Sequence, residues 1–284
     1  MSFLIFQLLN GFTFAALLFL VASGFTLIFG LMRIVNLAHG ALYLFGGYIT
    51  FSLIQMTGSF FIGLVCAVAA LSFIGIGEQY LLKFARGVDL RQVLITLGLA
   101  VMIDDVSLVL FGGETLNVPI PAMLRGAFQF GDINYPKYRL FVLLIGILVF
   151  ILLNITMNKT KLGALIRAGV DDRETIEALG VNISKIFLIT FMIGMSLAAL
   201  AGGLGGAFLS LYPTADAEIL VFSLAIVIIG GRGSLLGAAL GSVIVAMLST
   251  FGQVWFPELS YFVIFGPMAL LLAFRPNGLF GKPV

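Results

Sequence analysis

Charge is scarce in this sequence. Only 10% of its 284 residues are Asp, Glu, Lys or Arg, against about 25% in a soluble domain, so no aqueous fold fits. Cysteine is confined to Cys66 and histidine to His39. The first excludes an intrachain disulfide, and the pair offers too few ligands for a protein-only metal cage. There is no G-x-x-x-x-G-K-[ST] phosphate loop, and one His with one Cys leaves little for catalysis; the chain reads as a non-enzyme. What abounds is apolar: 61% of the residues are hydrophobic and the mean hydropathy is +1.18. A bilayer cannot satisfy exposed backbone groups, so apolar runs of about 20 residues must be helices. Barrel strands would alternate apolar and polar residues, which these runs do not. The start, Met1-Ser2-Phe3-Leu4, has no basic n-region, so the first run is expected to be a retained helix.

The apolar runs are 3–30, 41–55, 60–77, 93–111, 140–157, 186–211, 219–230, 235–250 and 259–274. They predict an all-α, polytopic membrane bundle of about eight to nine helical segments, forming one domain over 1–284. Polar breaks at 33–40 and 231–234 predict broken or re-entrant helices. The excursion at 112–138 carries Pro119, Pro121 and Pro136, with residues 128–135 patterned as a small hairpin around Gly131-Asp132. Basic residues in short loops set orientation. Segments 78–91 and 158–185 and the tail from Arg275 hold three, five and two of the fifteen Lys and Arg, which makes them and the C-terminus cytoplasmic. Parity puts 112–138 and the turn 212–218 outside, although Arg125, Lys137 and Arg139 run against the rule there. Both breaks then lie at the cytoplasmic face or turn within the membrane.

The longest polar stretch is 158–185, with Lys159, Lys161, Arg167, Arg173 and Lys185 against Asp171, Asp172, Glu174 and Glu177. Leu162, Leu165, Ile166, Ile176 and Leu179 recur within it close to helical spacing. It is far longer than an ordinary connection of about 4–6 residues. A short amphipathic helix or helix pair that docks on something outside the lipid is expected, with Leu162, Leu165 and Ile166 as anchors.

Within the membrane part, Asp104-Asp105 interrupts a span, and a charged Asp at the bilayer centre costs roughly 2.5–3.5 kcal/mol on insertion scales. Successive helical residues point about 100° apart, so at least one should face a cavity or a partner such as Arg33 or Arg232. Each break has an Arg, then a capping residue, then a helix: Arg33 before Asn36, and Arg232 before Ser234. Asn and Ser favour N-caps, and broken helices in transporters present such termini to carboxylates. Both turns could instead sit in the cytosol with the arginines at headgroups. His39 titrates near neutrality unaided, and a structural hydrogen bond there competes with a proton relay. Substrate-path candidates are therefore Arg33, Asn36, His39, Asp104, Asp105, Arg232 and Ser234.

With these segments placed, the chain resembles a permease subunit of the branched-chain amino-acid family of ABC importers. Asn10-Gly11, Gly24-Phe25-Thr26-Leu27-Ile28-Phe29-Gly30 and Ile34-Val35-Asn36-Leu37-Ala38-His39-Gly40-Ala41 are similar to that family's opening pattern. Gly163, Arg167-Ala168, Asp171 or Asp172, Ala178 and Gly180-Val181 are similar to its cytoplasmic loop, Gly230-Gly231-Arg232-Gly233-Ser234 to its late glycine motif, and Arg275-Pro276-Asn277-Gly278-Leu279-Phe280-Gly281 to its end. The resemblance implies a bacterial inner-membrane protein without a cofactor of its own. It also implies a second permease, homologous or identical, two cytoplasmic ATPases that bind the ATP, and an external substrate-binding protein. Leu162, Gly163, Leu165, Ile166, Arg167, Asp171 and Gly180 would then couple to an ATPase. Two departures stand out: Asp104-Asp105 is more acidic than that helix in the family, and Glu-Ala-Leu-Gly at 177–180 lacks the E-A-A spacing of other ABC importers. The substrate could be a branched-chain amino acid, or urea, an amide or a small organic acid. A proton-coupled secondary transporter using Asp104, Asp105 and His39 is the alternative.

Overall fold

The computed structural model describes residues 2–32, 36–85, 88–131, 133–231, 233–275 and 278–281. The apolar runs become α1 (Ser2–Met32), α2 (His39–Thr57), α3 (Phe60–Lys83), α4 (Asp89–Phe111), α5 (Lys137–Lys159), α8 (Ile183–Gly205), α9 (Ala215–Gly230), α10 (Leu235–Trp255) and α11 (Ser260–Phe274). The polar stretch between α5 and α8 forms α6 (Lys161–Asp171) and α7 (Arg173–Ala178). Six of these helices, α1, α3, α4, α5, α8 and α10, are long and apolar enough to cross a membrane. The protein is a multi-pass, all-helical membrane bundle.

Helix α1 is the axis of the bundle. A helix apolar on every side belongs in a core, and Leu17, Leu18, Leu20, Val21, Ala22 and Ile28 have no exposed surface. It packs on α5, α8, α9 and α10, while α2 and α3 lie against α8. Lipid gives no hydrophobic drive for helices to associate, so small residues that permit close backbone approach hold them together. A Cβ placed on Gly202 of α8 would come within 1.9 Å of the Tyr43 carbonyl oxygen on α2. By contrast α4 and α5 present exposed apolar side chains such as Val109 and Leu144 outward.

The excursion before α5 forms β1 (Ala127–Phe130) and β2 (Ile133–Pro136), an antiparallel hairpin in which Phe130 pairs with Ile133 and Phe128 with Tyr135. The two-residue turn needs positive φ, which Gly131 supplies at +59°. Phe6 of α1 packs edge-on against Tyr135, so the hairpin, the start of α1 and the start of α5 share one end of the bundle. The end of α1 and helix α6 meet at the opposite end.

Two boundaries differ from the sequence reading. The charged connection expected at 78–91 contracts, because α3 continues to Lys83 with Leu82 fully buried. Glu78 consequently sits inside the bundle, 5% exposed. The turn expected at 212–218 is shorter as well. α9 starts at Ala215, and Asp216 and Glu218 occupy its first turn, where acidic side chains complement the helix dipole.

Candidate functional site

Three motifs that are far apart in sequence meet at the end opposite the hairpin. The α carbon of Gly233 lies 2.6 Å from where a Cβ on Gly30 would be. After α11 the chain returns to the end of α9: Leu279 N–H donates to the Ile229 carbonyl at 2.8 Å and Phe280 N–H to that of Gly230 at 3.1 Å. These bonds satisfy helix carbonyls that would otherwise be orphaned. Gly278 makes the turn at φ +75°, with the Gly231 nitrogen 2.6 Å from its would-be Cβ. The end of α1, the late glycine break and the C-terminal motif thus form one backbone junction. Ser234 caps α10 there, its Oγ accepting from Gly237 N–H at 3.0 Å. Arg33 and Arg232, both expected at the breaks, lie outside the described residues.

The first break is built differently from the expectation. Asn36 is not the N-cap of α2; Ala38 occupies that position without a side-chain bond. The Asn36 Oδ1 instead accepts from Ala38 N–H at 3.0 Å, a local Asx bond that shapes the turn. The capping position moves because the helix begins only at His39. Asn36 is fully buried, and Glu78 of α3 is buried near it. His39 is fully buried too, with Nε2 3.0 Å from the Val21 carbonyl oxygen and its ring edge-on to Phe25. A carbonyl only accepts, so Nε2 is the protonated ring nitrogen. Asn36 Nδ2, His39 Nδ1, Glu78 Oε1 and Thr26 Oγ1 are buried without hydrogen-bond partners.

The two adjacent aspartates separate, as helical geometry requires. Asp105 is exposed, whereas Asp104 is half-buried with its Oδ1 out of reach of any donor. Asp104 lies beside Asp216 of α9, with Tyr48 close by. The pairing with Arg33 or Arg232 expected from the sequence falls outside the described residues.

At the hairpin end lies a cavity of about 300 Å³, at the lower end of the roughly 300–1,000 Å³ of small-ligand pockets. Arg139 at the start of α5 and Glu218 at the start of α9 both line it. Arg139 donates from Nη1 to Asn10 Oδ1, and its guanidinium lies 4.8 Å from the Phe208 ring centroid. Asn10 is itself oriented by its bond to Gln7 Oε1 at 3.1 Å. Glu218 Oε2 accepts from the Tyr212 hydroxyl at 2.9 Å. Among the described residues no ion pair joins Arg139 to Glu218. Behind Arg139, the buried Tyr135 shares a 2.9 Å hydrogen bond with Thr13; burial pushes its phenol up, against the opposing pull of Thr13 and Arg139. Apolar walls come from Phe14, Ile219, Leu209 and Phe222. Sequence reasoning missed this site, although Arg139 had already broken the charge rule for its side.

The polar segment is a helix pair, with each start capped as the sequence chemistry favours. Thr160 accepts from Gly163 N–H, Asp172 from Thr175 N–H and Asn182 from Lys185 N–H. Its apolar face is not free for a partner. Ile166 is 3% exposed and packs with Ile183, Ile186 and Phe187 of α8, joined by the half-buried Leu162 and Leu165. Gly163 lies against the Thr156 and Met157 carbonyls, and Arg167 donates to Met157 O at the end of α5. Amphipathic spacing says that a face is buried, but not against which chain. Beyond these, Asp171 ends α6, Gly180 turns with φ +82°, and Leu179 beside it is 72% exposed.

Fold and site together define a class: a multi-pass helical membrane protein with charged groups around a cavity at one end and a polar helix pair at the other. The chain belongs to the family described as branched-chain amino acid transport system / permease component, whose model matches residues 7–272. The high-affinity branched-chain amino acid transport system permease protein BraD of Pseudomonas aeruginosa is 30% identical, covering 98% of this chain and 95% of its own length. LivH of Escherichia coli, with the same description, is 26% identical over the same shares. The probable branched-chain amino acid transport permease protein LivM of Methanocaldococcus jannaschii is 26% identical over 78% of this chain and 69% of its own length. No solved structure matches the chain.

Proposed function

We propose that this chain is the membrane-spanning subunit of an ATP-driven importer for branched-chain amino acids in the bacterial inner membrane. The observation that carries the reading is similarity to BraD and LivH along nearly the whole of both chains. Similarity to LivM as well fits a second, homologous permease as partner. ATP is hydrolysed on two cytoplasmic subunits, and an external binding protein delivers the amino acid. The hairpin end faces outward and the α6–α7 end faces the cytosol, following the distribution of basic residues. Asp104 and Asp216 lie along the path.

Coupling to the ATPase passes through the exposed turn after α7, with Leu179 and Gly180 at its tip, while Leu162, Gly163, Leu165, Ile166 and Arg167 fix that turn on α5 and α8. In proteoliposomes holding the complete complex, leucine uptake stops without ATP and persists when an uncoupler collapses the proton gradient. The reverse result belongs to a proton-coupled carrier and would remove the reading. In a Cys66→Ser background, a cysteine replacing Leu179 crosslinks to the ATPase and Leu179→Asp uncouples hydrolysis from uptake. Crosslinking from Val88 instead would move the contact to the α3–α4 connection.

A further inference from the structure

We propose that the cavity at the hairpin end grips a zwitterion by its two charges, Arg139 holding the carboxylate and Glu218 the ammonium. The inference rests on the import reading above and names where the amino acid first meets the membrane subunit.

The geometry points there for three reasons. First, the two side chains carry opposite charge into one cavity without joining in an ion pair. Opposite charges that close on each other leave nothing for a ligand; each of these is bonded to a partner of its own. Asn10 takes one arm of Arg139, and a guanidinium has five N–H donors in a rigid fork, which leaves others free to meet a carboxylate side-on. The Tyr212 hydroxyl occupies one oxygen of Glu218, and a carboxylate has lone pairs to spare for an ammonium. Second, each charge is positioned by a chain of contacts: Gln7 to Asn10 to Arg139, with Phe208 against the guanidinium. A preorganised site of this kind avoids ordering costs when the ligand arrives. Third, beside polar residues such as Thr250 and Gln253, one part of the wall is apolar: Phe14, Ile219 and Phe222 line it, and Phe14 and Phe222 meet edge to face at 5.8 Å. A short branched aliphatic side chain suits that surface, and a charged one does not.

Arg139 also stands on the side of the membrane where basic residues are disfavoured. Binding an anionic group accounts for its presence there.

The test uses the complete transporter in proteoliposomes, with leucine as probe. A cysteine replacing Leu209, in the Cys66→Ser background, is labelled with a membrane-impermeant maleimide from the hairpin side. Leucine slows that labelling; isocaproate, which lacks the ammonium, and isoamylamine, which lacks the carboxylate, do not. Glu218→Gln and Arg139→Gln each lower leucine uptake by about tenfold, the loss expected of one charged hydrogen bond, while the complex still assembles with its ATPase subunits on size exclusion. Glu218→Asp recovers part of the uptake, which a purely structural role would not predict. Labelling that ignores leucine, or uptake unchanged in both Gln variants, overturns the site while leaving the import reading intact. A wild-type complex that carries no branched-chain amino acid removes both.

Discussion

The two ends of this bundle are built from different materials. At the hairpin end, side chains hold a space open: Arg139, Glu218, Asn10 and Tyr212 are each tied to a neighbour around a cavity of about 300 Å³. At the opposite end, backbone meets backbone without intervening side chains. Gly30 abuts Gly233, Gly230 abuts Gly237, and Leu279 and Phe280 bond directly to the end of α9. The first construction suits a surface that meets a changing occupant. The second transmits displacement, because atoms already in contact cannot absorb it by rotamer changes. A transporter needs both, in that order along the membrane normal.

Three substitutions break or sharpen this contrast. Gly237→Ala has the largest effect. Its Cβ would sit 2.1 Å from the Gly230 carbonyl oxygen, and because the obstacle is backbone, helices α9 and α10 must part. A cost of about 3 kcal/mol or more is expected, read as loss of folded protein on size exclusion and a lower melting temperature in detergent. Wild-type behaviour would show the junction to be looser than its distances say. Ser234→Ala comes next. It removes the cap of α10 at the same junction but leaves the backbone contacts, so thermal stability should fall by about 1 kcal/mol, and Ser234→Thr should largely restore it. Asp104→Asn has the smallest effect on stability, since it replaces a carboxyl facing Asp216 by a near-isostere. Uptake should nonetheless fall while assembly with the ATPase persists. Unchanged uptake in Asp104→Asn, Asp105→Asn and the double variant would take the acidic pair out of the path.

What the sequence reveals here follows from the range of each interaction. The hairpin is local: Gly131 in the turn and aromatic residues on both strands announce it, and β1 and β2 appear where expected. The helix pair of 158–185 is local too, with Thr160 and Asp172 as its caps and Asn182 as the cap of α8 that follows. Its docking face was misread because Ile166 and Leu165 find their groove on α8 of the same chain; periodicity marks a buried face and is silent about its neighbour. The capping role suggested for Asn36 failed by two positions, since the helix waits for His39. The cavity was invisible for a different reason. Asn10, Arg139, Glu218 and Thr250 come from four helices, and only Asn10 belongs to a short motif. Only the misplaced charge of Arg139 hinted at it. Its companions Lys137 and Arg125 are answered locally, by the Phe128 ring at 5.3 Å and the Ile120 carbonyl at 3.1 Å.

The return of the chain to α9 has a consequence for how the protein is made. The N–H groups that complete Ile229 and Gly230 come from Leu279 and Phe280, which are made only after α10 and α11. Until then a helix end stands open in or near lipid, where an unsatisfied carbonyl is expensive. The closure of α9 therefore waits for two later helices. A chain cut before Gly278 would keep α1 to α11 and still lack the bonds that close α9.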